Sequence, residues 1–82
     1  MKATVLVRPK PGILDPHGEA VRGSLRKLDF PVTQARVGRL VELELDAGDE
    51  IEARAQVERM CAELLANPLI ESVEIQLEDK PT

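Results

Sequence analysis

The sequence predicts an α+β protein. It is a two-layer sandwich in the order β-α-β-α-β, with one long central strand and a sheet completed by dimerisation. Three observations predict it. Three segments alternate apolar and polar residues with period two, two segments space apolar residues by three or four, and proline or glycine clusters separate them. At 82 residues the chain is a single domain, residues 1–82, whose helices have to cover the apolar face of a small sheet.

The first strand is Lys2–Arg8. Ala3, Val5 and Val7 share one face, and Lys2, Thr4, Leu6 and Arg8 the other. A stiff loop follows, PKPGILDPHG, from Pro9 to Gly18. Asp15 stands in the N-cap position, where its carboxylate accepts from free N–H groups of the first helical turn. Pro16 suits the first helical position, and Glu19 suits the positive end of the helix dipole. Val21, Leu25 and Leu28 make the apolar stripe. Pro31 ends the helix near Leu28 or Asp29.

The segment from Ala35 to Leu45 is the most informative. Ala35, Val37, Arg39, Val41, Leu43 and Leu45 fall on one face, and Arg36, Gly38, Leu40, Glu42, Glu44 and Asp46 on the other. A hairpin turning at Gly38-Arg39 would set Arg36 opposite Val41 and Gln34 opposite Leu43, mixing polar and apolar on both faces. One unbroken strand of about a dozen residues keeps the faces separate. It spans roughly 40 Å, about twice the first strand, so part of it overhangs its own sheet. A bare overhang is a pairing hazard, and a second copy of the chain is the simplest cover. Val37, Gly38, Leu40, Val41 and Leu43 are therefore the expected self-association strand.

Ala47-Gly48-Asp49 is a turn. A second helix runs from Ile51 to about Ala66, with Ala53, Val57, Met60, Cys61, Leu64 and Leu65 as its apolar stripe and a Glu50–Arg54 pair on its surface. Asn67-Pro68 ends it. Ser72–Glu78 is the last strand, with Val73, Ile75 and Leu77 inward. Asp79–Thr82 is a polar tail with frayed ends expected.

Composition excludes several classes of function. One cysteine, Cys61, forbids an intrachain disulfide and fits a reducing compartment. No apolar run is long enough to span a bilayer, and the N-terminus lacks a signal-peptide pattern, so a cytoplasmic location without membrane contact is expected. Net charge is −4, and the only aromatic side chain is Phe30, a poor basis for nucleic-acid binding. Charge is nevertheless segregated. Residues 1–41 hold eight basic and three acidic side chains, and residues 42–82 hold three and twelve. Such asymmetry marks interaction surfaces.

No catalytic set emerges. His17, the only histidine, has no nucleophile or carboxylate in a triad order, and Cys61 falls on a buried stripe. One histidine and one cysteine cannot make a zinc site. The Pro9–Gly18 loop lacks the Walker pattern, and Asp15 repels phosphate. Lys10, Asp15, His17, Arg36 and Arg39 are instead candidates for contact with partner proteins.

Three stretches resemble one known family. They are VxVxPKxGxLDPxG over Val5–Gly18, VxxxRVGRxxEL over Val32–Leu43 and MCxxLLANPxIE over Met60–Glu71. This pattern is similar to PurS, the small subunit of phosphoribosylformylglycinamidine (FGAM) synthase. His17 stands where the family usually has Gln, and Arg39 where Lys is common. The resemblance implies a ferredoxin-like-related fold and a non-catalytic assembly subunit of purine biosynthesis. It implies a dimer or tetramer that joins a glutaminase (PurQ) to a synthetase (PurL) and supports ammonia transfer between them. It also implies that ATP and Mg are used by PurL, with no cofactor in this subunit. The alternative reading is a small-molecule-binding regulatory module of the ACT type.

Overall fold

The structure is a computed structural model, and it describes residues 1–78. The tail expected at Asp79–Thr82 lies outside the described residues. The element order is β1 (Lys2–Pro9), α1 (Pro16–Lys27), β2 (Arg39–Glu44), α2 (Glu50–Met60) with a one-turn π-helical extension (Cys61–Leu65), and β3 (Glu71–Glu78). The three strands form one antiparallel sheet in the order β2-β1-β3.

Strand β1 is central because both of its neighbours pair along it. Val5 faces Val41 on one side and Ile75 on the other, and Ala3 faces Leu43 and Leu77 in the same way. These cross-strand rows make one apolar face, on which α2 lays Ala53, Val57 and Cys61. Ala3, Val5, Ala53 and Val57 are fully buried. The opposite face is polar, with Lys2 3.3 Å from Glu42 and Arg8 3.2 Å from Glu74.

The long strand expected at the centre is instead a short ladder at the edge. β2 pairs only from Arg39 to Glu44, extended by one step where the Leu45 N–H donates to the Met1 carbonyl. Its partner runs out: in the same register Gly38 and Val37 fall opposite Arg8 and Pro9, and Pro9 has no N–H to give. Beyond Pro9 the chain turns toward β3, where the Lys10 N–H donates to the Ile70 carbonyl. No turn or bend interrupts residues 31–47, so the hairpin at Gly38 is absent and residues 31–38 continue as an extended overhang. Gly38 passes directly over the Val7 carbonyl, where a Cβ would sit far inside contact distance.

Helix α1 departs from the expectation that both helices cover the sheet. It begins as the residues dictate, with Asp15 as N-cap and Pro16 in the first turn. It ends in a Schellman motif: the Phe30 N–H donates to the Leu25 carbonyl and the Asp29 N–H to the Arg26 carbonyl, with Asp29 at φ 69°. Yet it makes no extensive contact with any strand or with α2; the contacts that hold it run to the overhang. The molecule is accordingly long, 50 × 30 × 15 Å. Its radius of gyration is 16.1 Å, against about 12 Å for a compact chain of this length.

Helix α2 starts at Asp49, whose carboxylate accepts from the Glu52 N–H. Its last turn widens, with the Ala66 N–H donating to the Cys61 carbonyl five residues back. That extra residue rotates the stripe. Leu65 and Ala66 turn onto the core, whereas Leu64, expected inside, stands exposed. The Glu50–Arg54 pair is not formed; Arg59 and Glu63 approach to 3.7 Å instead.

Candidate functional site

Two features stand out as sites of interaction: the arm made by α1 and the overhang, and a tightly bonded node where the overhang enters β2. The arm is held by Asp15. One carboxylate oxygen accepts from the Gly18 N–H at 3.0 Å, and the other from the Val37 N–H at 2.9 Å. The first bond caps the helix, and the second ties the helix to the overhang. Gly18 permits the approach, because a Cβ there would collide with the Ala35 carbonyl. The two N–H groups, the Val37 one first, hold the Asp15 carboxyl below the usual carboxylate range. At the far end of the arm, the Arg26 guanidinium donates to the Val32 carbonyl at 3.0 Å.

The node centres on Arg39. Its guanidinium grips Glu71 through two bonds of 2.8 and 3.0 Å, and also donates to the Leu65 carbonyl. Glu71 in turn accepts from the Asn67 N–H at 2.7 Å. Arg39 thus joins β2, the end of the π turn, the Asn67–Ile70 bend and β3. The guanidinium, and then the Asn67 N–H, keep the Glu71 carboxyl below its ordinary range. Glu71 in return raises Arg39.

The sequence candidates are distributed as follows. Asp15 and Val37 meet in the arm. Arg39 is engaged in the node. Arg36 is exposed on the overhang and forms no hydrogen bond or ion pair among the described residues. Lys10 borders the same hollow as Asp15 and Arg36, and His17 is exposed on the first turn of α1. Gly38 is packed on Val7, Leu40 is exposed on the polar face, and Val41 and Leu43 pack against the protein's own core. Sequence reasoning missed the Glu71–Asn67 half of the node, although the ANPxIE stretch carries it. It also missed the exposure of Leu14, Leu28 and Phe30 along the arm.

Catalytic chemistry has little to build on. Burial, and then the nearby Glu58 charge, push the Cys61 thiol up, away from the reactive thiolate. Among the described residues no group of three or more His, Cys, Asp or Glu side chains is placed to hold a metal. No helix of the described residues is long and apolar enough to cross a membrane.

Comparison with known proteins decides what kind of protein carries this arm. The family model described as PurS, Phosphoribosylformylglycinamidine (FGAM) synthase, matches residues 2–79. The chain belongs to the PurS family. A PurS subunit from Synechocystis is 44% identical over 69 residues, covering 83% of this chain and 69% of that protein. The Methanocaldococcus jannaschii PurS subunit is 35% identical over 94% of each chain. Its crystal structure superposes with a TM-score of 0.86 at 33% identity, covering 98% of both chains. A PurS chain in the structure of PurLQS from Thermotoga maritima matches with a TM-score of 0.82 at 33% identity, covering 92% of this chain and 93% of that one. As a PurS chain, the protein is a subunit of FGAM synthase in purine biosynthesis.

Proposed function

We propose that this PurS chain works as a self-associating assembly piece that joins the PurL synthetase and PurQ glutaminase of FGAM synthase and so supports ammonia transfer between them. ATP and Mg act on PurL, and no cofactor resides in this subunit. The observation that carries the reading is the detached arm. Helix α1 leaves Val21, Leu25, Leu28 and Phe30 without a sheet beneath them. The sheet in turn leaves Val73 half-exposed beside a groove floored by Ala62, Ala66, Pro68 and Ile75 and bordered by Arg54, Glu58 and Glu71. Apolar surfaces on both parts of one elongated molecule suit a second copy, which covers each with the other. The outer flank of β2, which has no strand beside it among the described residues, supplies backbone for the same contact.

The test is reconstitution. The purified chain alone has no turnover, and adding it to PurL and PurQ restores glutamine-dependent FGAM synthesis. Unchanged activity on addition refutes the bridging role. Light scattering across a concentration series reads self-association independently, with a dimer or tetramer expected. A thermal-shift panel in which one metabolite stabilises the isolated chain strongly would favour an ACT-type regulatory role instead.

A further inference from the structure

We propose that Asp15 is the positioning residue of the assembly arm: by bonding the first turn of α1 and the overhanging strand with one carboxylate, it sets the arm in the shape that a second copy accepts. The inference rests on the self-association reading above.

The geometry carries it. A capping carboxylate needs only the N–H groups of its own helix. Asp15 spends its second oxygen on Val37, 22 residues away, in a stretch with no strand beside it. The sheet does little to fix the direction of α1, because α1 has no extensive contact with any strand or with α2. The direction is set where the arm leaves the sheet, by the Asp15–Val37 bond and by the close seat of Gly18 on the Ala35 carbonyl. Farther out, only the Arg26–Val32 bond links helix and overhang through a side chain. Without the Asp15 clasp, α1 and residues 31–38 hinge about the loop, and the contact must order them on binding. An arm ordered beforehand avoids that entropic cost, so the clasp shows its effect in association rather than in the fold of the sheet.

Two variants separate the clasp from the cap. Asp15→Ser keeps an N-cap oxygen but is too short to reach Val37 as well. Gly18→Ala keeps a carboxylate at the cap but sets a Cβ against both the Ala35 carbonyl and the Asp15 oxygen that accepts from Val37. Both are expected to keep their helix content by circular dichroism, to lose hydrogen-exchange protection at the Val37 amide, and to weaken dimerisation by roughly tenfold or more, the scale of one charge-assisted hydrogen bond. Dimerisation of Asp15→Ser at wild-type strength, with the Val37 amide exposed, overturns the proposal and leaves self-association intact. A wild-type chain that stays monomeric at every concentration overturns the self-association reading itself, and the role of the clasp with it.

Discussion

At the residue scale, Arg39 shows why a charged side chain is poorly read from sequence. On a strand face it looked available to a partner, yet it is committed to Glu71 and to the Leu65 carbonyl. Its bidentate grip depends on the planar guanidinium, which an ammonium cannot reproduce. Arg39→Lys is therefore expected to lower the melting temperature measurably, and Arg39→Ala to lower it further by leaving Glu71 without its cation. Equal melting curves for all three proteins would refute this.

Acid should loosen the same contacts. The Asp15 and Glu71 carboxyls titrate lower in the folded chain than in the unfolded one. The unfolded state thus takes up their protons first as pH falls. Their contribution is complete above the ordinary carboxylate range near pH 4, and is lost as pH drops through the lower folded values. A urea midpoint that is flat from pH 7 to about 5 and falls below about 4 is the expected profile. In Arg39→Ala, the part due to Glu71 shrinks. Asp29 offers a further check. It holds φ 69° at the end of α1, a conformation that costs a non-glycine residue about 1–2 kcal/mol. Asp29→Gly is expected to be neutral or mildly stabilising in thermal unfolding.

At the element scale, most of the fold was legible. Period two marked β1 and β3, and the Asp-Pro pair marked the start of α1. Polar–apolar mixing excluded a hairpin at Gly38, and the extended overhang agrees. The length of the β2 ladder was not legible, because it is limited by Pro9 and the turning of Lys10 on a different strand. The π turn was also hidden: CAELL has the spacing of an ordinary helix, and only packing decides that Leu65 and not Leu64 faces the core. Two substitutions test these assignments. Val57→Ala removes fully buried methyl groups. It should cost about 2 kcal/mol, or roughly 10 °C in melting temperature. Gly38→Ala drives a Cβ into the Val7 carbonyl and should part the strands from that end. Loss of exchange protection at the Arg39 amide, before that at the Leu43 amide, would show it.

At the scale of the whole molecule, the placement of α1 could not be read from periodicity. An amphipathic stripe records that a surface is covered, not which molecule covers it. Val21 and Leu25 are half-buried within the chain and Leu28 is exposed, so the stripe does not lie on the sheet as its spacing predicted. Of the candidate site, the cap at Asp15 was visible in LDP, but its bond to Val37 was not, since no local pattern links residues so far apart.

The strand order has a last consequence. With β1 in the middle, both outer strands have a flank with no strand beside it among the described residues, and a sheet of this kind risks unlimited stacking. Ion pairs stand across the sheet, Lys2 with Glu42, Arg8 with Glu74 and Arg39 with Glu71, so a strand added at either border meets charged side chains, and the net charge of −4 limits stacking at neutral pH. As pH falls toward the isoelectric point near 4.9, that net charge vanishes and the guard with it. Acidified solutions should turn turbid while the helical signal persists, and added salt should bring that turbidity to higher pH.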